Sequence, residues 1–165
     1  MPHLRLRDPT GVDADMWKAI QNKDGDALKI ALENGANPAA EDGLGNFPIH
    51  YLADEPELVK ILVEHGGDIN GYDYYYCVPL VNCNKPENVQ ALIDMGADVN
   101  KLDENGASLF MAAMDGHKRD ICEVLIKNGA NINLRDRWGQ TAYTYAAKKG
   151  FRDMCEWYLS IGGEK

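Results

Sequence analysis

A motif that recurs about every 33 residues constrains the fold of this chain more than any other feature. Four segments carry it: ENGANPAAED, EHGGDINGYD, DMGADVNKLD and KNGANINLRD. Their first glycines are Gly35, Gly66, Gly96 and Gly129, and Gly162 continues the series. Because the spacings between these glycines are 31, 30, 33 and 33 residues, the sequence predicts a repeat architecture.

Apolar pairs precede these glycines at a constant distance, and most periods carry a second pair four residues earlier. The nearer pairs are Leu62-Val63, Leu92-Ile93, Leu125-Ile126 and Tyr158-Leu159. Such spacing places one apolar stripe on a short helix. The glycine then ends the helix, because it adopts the left-handed conformation without a steric penalty.

A second helical signal lies between these segments. It consists of GNFPIHYLA, CVPLVNC, GASLFMAAM and GQTAYTYAA. Pro48 and Pro79 fall where the first turn of a helix tolerates proline. Each period therefore predicts a turn, a short helix and a longer helix. Units of this size cannot bury their apolar stripes alone, so they must stack.

The pattern resembles the ankyrin repeat family. GNFPIH is similar to the family's G-x-T-P-L-H signature, and NGANIN and MGADVN resemble its inter-repeat link. The resemblance implies an all-α solenoid of about five stacked helix-turn-helix repeats joined by short β-hairpin-like loops. The predicted organisation is an N-terminal tail, residues 1–12, followed by one domain, residues 13–165, with repeats 13–38, 39–69, 70–99, 100–132 and 133–165.

The second and third repeats are two and three residues shorter than the last two. The deletions fall between the two helices, near residues 54–56 and 84–86. We therefore expect a short or distorted first helix in both of these repeats.

The segment GYDYYYCVPL, residues 71–80, places four tyrosines in five positions. In the family alignment, Asp42, Asp73, Asp103 and Asp136 each precede a hairpin tip. The tips are then Gly43-Leu44, Tyr74-Tyr75, Glu104-Asn105 and Arg137-Trp138. Tyr76 stands where the other hairpins have glycine. Because tyrosine disfavours a positive φ, the third hairpin is predicted to be remodelled.

Two interpretations of the tyrosines stay open at this point. In one, the rings cover a core left thin by the shortened third repeat. In the other, Tyr74 and Tyr75 project into solvent as a partner-binding patch, since tyrosine and tryptophan dominate binding hot spots. Trp138 at the tip two repeats further on favours the second interpretation.

The resemblance implies a concave surface that binds another protein. The candidate partner-binding residues are Tyr72, Tyr74, Tyr75, Leu102, Glu104, Asn105, Asp115, Arg135, Arg137, Trp138, Lys148 and Lys149. Four of them, Arg135, Arg137, Lys148 and Lys149, are predicted to form a basic cluster beside Trp138. This cluster either meets acidic groups on a partner or is a set of solvated charges.

We find no nucleotide-binding loop, nucleophile elbow or zinc-protease motif in the sequence. We therefore predict no catalytic residue, no metal site, no cofactor and no enzymatic activity. Cys122 and Cys155 fall on the apolar stripe and are predicted core residues. In the family, the histidine at the place of His50 bonds the turn backbone. The repeating aspartates are best explained by hairpin hydrogen bonds.

Asn70, Asn100 and Asn133 occupy the family's link position, and a leucine lies eight residues before each. This spacing resembles the acceptor pattern for asparaginyl hydroxylation in some ankyrin proteins. Hydroxylation of these asparagines is a hypothesis that the sequence leaves open.

Charge is unevenly distributed along the chain. Residues 1–100 carry 7 Lys/Arg and 17 Asp/Glu, a net charge of −10, whereas residues 101–165 carry 10 and 9, a net charge of +1. The first part is expected to repel nucleic acid and anionic membranes. Without a secretory signal or a spanning segment of ~20 apolar residues, we predict a cytoplasmic protein or an effector delivered into a host cell.

We predict that the chain acts as an adaptor or regulator, as a monomer rather than a homodimer. Two other functions remain as alternatives. One is an inhibitor, immunity protein or effector that blocks a target enzyme. The other is an acidic mimic of nucleic acid, which would compete with DNA or RNA for a basic partner.

Overall fold

The computed structural model describes residues 11–165, so most of the predicted tail, residues 1–10, lies outside the described residues. Within this range the chain is all-helical and contains no strand, which confirms the predicted all-α solenoid. Its helices are α1 (Val12–Asn22), α2 (Gly25–Glu33), α3 (Pro48–Tyr51), α4 (Pro56–Glu64), α5 (Pro86–Asp94), α6 (Leu109–Asp115), α7 (Arg119–Lys127), α8 (Ala142–Lys149) and α9 (Arg152–Ser160). A 3₁₀ turn, Pro79–Asn82, precedes α5.

The helices stack in two rows. In the first row, α1, α3, the 3₁₀ turn, α6 and α8 contact one another in chain order. In the second row, α2, α4, α5 and α7 do the same, and α9 packs against α8. The hairpins that carry the candidate site enter the first row, so that row determines where their tips lie.

The core runs along the stack between the two rows. Leu62, Leu92 and Leu125 lie at equivalent places in α4, α5 and α7, and each is fully buried. Tyr158 of α9 and Ala31 of α2 occupy the same place and are also buried. Burial of these successive side chains stabilises the fold, because no single helix pair has enough apolar surface of its own.

Each helix of the second row, and α9 as well, ends in the same way. The glycines after these helices, Gly35, Gly66, Gly96, Gly129 and Gly162, have φ between +84° and +98°. The N–H of the following residue donates to the carbonyl of the interior residue four positions before the glycine, at 2.8–3.0 Å. The predicted role of glycine as the helix end is confirmed.

The two shortened repeats have reduced first helices, as predicted. Helix α3 has four residues, and its counterpart in the next repeat is the four-residue 3₁₀ turn. Helices α6 and α8 at the matching places have seven and eight residues. Pro48 and Pro79 begin the two short elements, where the missing N–H leaves no donor unsatisfied.

The link asparagines join neighbouring repeats. Asn70 donates from Nδ2 to the Gly96 carbonyl at 3.0 Å and accepts the Asp98 N–H at 2.7 Å. Asn100 and Asn133 make the same pair of bonds to the next link. Their side chains therefore have a structural role, whereas their hydroxylation stays a prediction.

Candidate functional site

A single aspartate holds each hairpin. Oδ1 of Asp42, Asp73, Asp103 and Asp136 accepts the N–H groups two and four residues further on, at 2.7–2.9 Å. The aspartate N–H donates in turn to the carbonyl four residues on, at 2.9–3.1 Å. The prediction that hairpin hydrogen bonding explains these aspartates is confirmed.

The third hairpin is not remodelled, so that prediction is wrong. Tyr76 adopts φ +55°, close to the +73° to +78° of the glycines that replace it in the other hairpins. Its N–H donates to the Asp73 carbonyl at 3.0 Å, which matches the bond from Gly106 to Asp103. The hydrogen bonds of the hairpin aspartate, which we call the hairpin frame, therefore impose a left-handed conformation that costs a non-glycine residue about 1–2 kcal/mol.

Three consecutive rings of this hairpin point into solvent. Tyr74, Tyr75 and Tyr76 are 70%, 64% and 56% exposed. The core beneath them is closed instead by Val78 and Leu80, which are buried. The interpretation in which these rings cover a thin core is therefore wrong, and their projection into solvent is confirmed.

The rings form what we call the tyrosine surface, made by Tyr72, Tyr74, Tyr75 and Tyr76. Tyr74 and Tyr75 pack edge to face with ring centroids 5.3 Å apart, and Tyr72 and Tyr76 lie 6.1 Å apart. Among the described residues, the hydroxyls of Tyr74, Tyr75 and Tyr76 have no hydrogen-bond partner. The surface therefore presents aromatic rings and hydroxyls together, which suits a protein partner.

Tyr72 connects the tyrosine surface to the fourth repeat. Its hydroxyl donates to the Leu102 carbonyl at 2.9 Å, and the Lys101 ammonium lies 4.7 Å from its ring centroid. The predicted site residue Leu102 is half-buried and pairs with Ser108 in an isolated β-bridge. Leu102 therefore contributes its carbonyl rather than an exposed side chain.

An apolar pocket of about 350 Å³ adjoins Tyr72. Its walls include Pro38, Phe47 and Ile49, and Asp68 lies in its lining. The sequence did not indicate this pocket, because its walls come from three repeats that only stacking brings together.

The tyrosine surface lies in a negative environment. Burial is the main cause that raises the pKa of the nearby Cys77 thiol, and the charges of Asp73, Asp103 and Glu104 raise it further. Because thiolate is the nucleophilic form, a raised pKa makes Cys77 unsuited to catalysis. The other three cysteines are buried, and all four are free thiols.

Backbone hydrogen bonds join two of the three pairs of neighbouring hairpins. The Tyr74 N–H donates to the Gly45 carbonyl at 3.1 Å, and the Arg137 N–H donates to the Asn105 carbonyl at 2.9 Å. In the described part of the chain, no backbone hydrogen bond joins the tip of the third hairpin to that of the fourth. The bond from the Tyr72 hydroxyl to the Leu102 carbonyl connects those two repeats instead.

The predicted basic cluster is largely satisfied within the chain. Arg135 donates to the Gly139 carbonyl at 3.1 Å and lies 3.5 Å from a Glu164 carboxylate oxygen. Arg137 donates to the Glu104 carbonyl, and its guanidinium lies 5.4 Å from the Trp138 ring centroid. These arginines therefore have intramolecular partners.

The two lysines of the cluster end helix α8. Lys148 donates to the Gln140 side chain at the base of the fifth-repeat hairpin, and the Lys149 ammonium lies 3.4 Å from Asp115 of α6. Asp115 thus pairs with another predicted site residue. All four cations belong to the fifth repeat, and each already has a polar partner.

The second and fifth repeats anchor their hairpins with a tyrosine from the following helix. The hydroxyl of Tyr145 donates to Asp136 at 3.0 Å, and Tyr51 donates in the same way to Asp42. Burial, and then the bond to the aspartate, raises the pKa of each tyrosine to about 12. Burial by itself would raise the pKa of Asp42, but its hydrogen bonds, with that from Tyr51 first, outweigh burial and lower it.

Histidine and cysteine occupy the predicted structural places. The His50 Nε2 lies 3.1 Å from the carbonyl oxygens of both Gly71 and Cys77, which confirms its predicted bonding to the turn backbone. Cys122 and Cys155 are buried, as predicted for the apolar stripe. In residues 11–165, no group of three or more His, Cys, Asp or Glu side chains has an arrangement suited to a metal ion.

Two residues beside the candidate set were missed by sequence reasoning. Tyr76 was treated as a backbone problem, although its ring belongs to the tyrosine surface. Lys101 contacts Tyr72 across the repeat boundary, and the one sequence signal for it was its position just before Leu102. Among the described residues, no helix is long and apolar enough to span a bilayer.

Comparison with known proteins gives a consistent family match. A family model described as ankyrin repeats in three copies matches residues 16–103 and again residues 75–164. The Ankyrin repeat-containing protein P1E11.10 of Schizosaccharomyces pombe is 38% identical over 73 residues, which is 43% of this chain and 35% of that protein. The Putative ankyrin repeat protein FPV233 of fowlpox virus is 34% identical over 65 residues, which is 38% of this chain and 13% of that protein.

Proposed function

This chain belongs to the ankyrin repeat family, and from that premise we propose that it binds a partner protein through its row of hairpin tips. Ankyrin repeats are generally protein–protein interaction modules, and the family is typically non-enzymatic. The observation that carries the proposal is the exposure of Tyr74, Tyr75 and Tyr76 on one hairpin.

Backbone strain supports a binding role for the tyrosine surface. Tyr76 occupies a left-handed position that the equivalent hairpins give to glycine. Strain of this kind persists where surrounding structure maintains it, and it clusters at functional sites. A fourth ring at this place enlarges the aromatic surface, and that is a benefit for binding rather than for stability.

The hairpin frame supports the same proposal. Asp73 fixes the backbone of the third hairpin through two N–H groups, so the tips are held before a partner arrives. A preorganised surface loses little conformational freedom on binding, and more of the interaction energy then appears as affinity. Aromatic rings supply most of that energy in many interfaces.

The last two repeats would orient the partner. Trp138 is 61% exposed, and Arg137 lies over its ring. Together with Glu104, Asn105, Arg135, Lys148 and Lys149, they form the second part of the proposed interface. Because the side chains of Arg135, Arg137, Lys148 and Lys149 already have partners, we propose that they contribute to orientation and association rate more than to affinity.

Partner capture with a matched aromatic variant tests this function. The bait is the full chain, and its comparison is the variant Tyr74→Ala, Tyr75→Ala, Trp138→Ala. A control variant, Ile30→Ala, Leu159→Ala, Ile161→Ala, removes exposed apolar side chains that lie outside the hairpins. Circular dichroism first verifies that all three proteins fold.

Calorimetry with the purified captured protein then gives the affinities. We expect the aromatic variant to bind at least about tenfold more weakly and the control to stay within twofold. Affinity of the aromatic variant within twofold of the full chain would contradict the proposal. Activity of the captured protein, measured with and without this chain, separates an adaptor from an inhibitor.

A further inference from the structure

We propose that the tyrosine surface binds a basic segment of the partner, one that presents arginine or lysine side chains to the rings. This inference rests on the proposed function and adds the chemical class of the partner to it. Three independent features of the surface carry it: the ring faces, the surrounding charge and the adjoining apolar pocket.

The ring faces are suited to cations. An aromatic face attracts an ammonium or a guanidinium within about 6 Å of its centroid. The chain already uses this chemistry here, because the Lys101 ammonium lies 4.7 Å from the Tyr72 ring centroid. Tyr74, Tyr75 and Tyr76 are more exposed than Tyr72, and no cation of the described residues lies over their rings.

The surrounding charge is mainly negative. Asp73, Asp103 and Glu104 act together on the Cys77 thiol, which lies at the base of the tyrosine surface. Two cations of the chain are engaged beside these residues: Lys101 is held over Tyr72, and Arg137 is held at the Glu104 carbonyl. The exposed Glu104 carboxylate makes no ion pair among residues 11–165 and is available to a basic side chain.

The apolar pocket gives the segment a second anchor. It opens beside Tyr72, between Pro38, Phe47 and Ile49, and Asp68 adds a further negative charge to its lining. A segment with an apolar side chain next to arginine or lysine would fill the pocket and cover the rings together. An acidic segment would meet repulsion from Asp68, Asp73 and Glu104 at the same place.

Selection from a displayed library of random dodecapeptides tests the inference. The full chain is the bait, and each retained peptide is then tested against the Tyr74→Ala, Tyr75→Ala variant. We expect peptides that depend on the tyrosines to be enriched in Arg and Lys over the library average. Replacing those residues by Gln in a synthetic copy should weaken binding at least about tenfold.

Two charge-reversal variants test whether the attraction for basic peptides depends on negative charge beside the tyrosine surface. Glu104→Lys should weaken binding of the basic peptides about fivefold or more, because it adds repulsion beside the rings. Glu64→Lys at the end of α4 makes the same change in net charge at an exposed place away from the hairpins, and should change affinity less than twofold. Affinity should also fall as ionic strength rises.

The outcomes separate this inference from the proposed function. Peptides that depend on the tyrosines but are neutral or acidic would overturn the basic segment and leave the hairpin interface standing. Equal effects of Glu104→Lys and Glu64→Lys would also overturn it. If no retained peptide depends on the tyrosines, the inference fails, whereas the proposed function stands or falls with the capture experiment.

Discussion

The third-repeat hairpin, residues 73–77, and the fifth-repeat hairpin, residues 136–140, share one backbone frame but present opposite chemistry. In each, an aspartate accepts two N–H groups and a left-handed residue closes the turn. At the first tip stand two tyrosines, whereas the second has Arg137 and Trp138. The frame is thus independent of its tip residues, and the tips determine the surface.

The two hairpins also differ in how they are anchored. Asp136 is buried and accepts a further bond from Tyr145, whereas Asp73 is partly exposed and Asn82 stands where a tyrosine would reach it. At the tips, the Arg137 side chain has partners within the chain, but among residues 11–165 the hydroxyls of Tyr74, Tyr75 and Tyr76 have no hydrogen-bond partner. The side chains of the fifth-repeat hairpin are therefore more engaged within the chain, whereas those of the third-repeat hairpin are more available to a partner.

The largest expected effect concerns this anchoring. Asp136→Ala leaves the half-buried Tyr145 hydroxyl and two N–H groups without their acceptor and should lower the free energy of unfolding by about 3 kcal/mol. Asp73→Ala should lower it by about 1.5 kcal/mol. Asp103→Ala should have the same effect, because Ala112 stands nine residues after Asp103, where the fifth repeat has Tyr145. Urea denaturation measures all three, and equal losses would show that anchoring does not distinguish the hairpins.

The next effect concerns binding. Tyr75→Ala should weaken binding of the captured partner about tenfold, or about 1.4 kcal/mol, because its ring is exposed and, among the described residues, contacts only another ring of the tyrosine surface. Arg137→Ala should weaken binding of the partner less than about threefold, since the guanidinium already bonds the Glu104 carbonyl. Titration calorimetry compares the two. A larger loss of affinity for Arg137→Ala than for Tyr75→Ala would contradict the claim that the third-repeat hairpin is the more important one for binding.

A reciprocal exchange tests the left-handed position. Tyr76→Gly should raise the free energy of unfolding by about 1 kcal/mol, and Gly139→Tyr should lower it by about 1 kcal/mol. The effects should be similar in size, because a Cβ at Gly139 meets no atom within 4 Å. Gly106→Tyr should lower the free energy of unfolding further, since its Cβ would lie 3.2 Å from the Arg137 backbone nitrogen. Thermal melts that show no gain for Tyr76→Gly would contradict the inferred strain.

The smallest effect is the response to alkaline pH. The pKa of Tyr145 rises to about 12 in the folded chain from 10.0 in its ordinary state. Burial, and then the bond to Asp136, causes this rise, so the stability that depends on the neutral hydroxyl is fully present below pH 10 and is lost as pH rises from 10 towards 12. After allowance for partial exposure the loss is below about 1 kcal/mol. Tyr145→Phe should flatten the stability profile in this range, and an unchanged slope would contradict the assignment.

The elements that sequence reasoning predicted correctly depend on local patterns. Glycine spacing located the helix ends, and the deletions near residues 54–56 and 84–86 predicted the two short first helices. The error at Tyr76 came from giving residue preference more weight than the hairpin frame. Asp73, three residues earlier, holds the turn through two hydrogen bonds and overrides the preference of tyrosine.

The parts of the site that escaped prediction depend on contacts between repeats. Lys101 reaches Tyr72, and Arg137 reaches Glu104, across a distance of about one repeat in sequence. The pocket beside Phe47 also requires three stacked repeats. Such contacts follow from the rotation of one repeat on the next, which the repeat pattern does not encode residue by residue.

Amide chemical-shift mapping tests the central claim most directly. The full chain, labelled with nitrogen-15, is titrated with the tightest basic peptide from the library and with its Gln-substituted copy. The account predicts that the basic peptide produces its largest shifts at residues 72–77 and at Glu104, and that the copy produces little change. Largest shifts on the outer helices α7 and α9, or at residues 136–140, would contradict it.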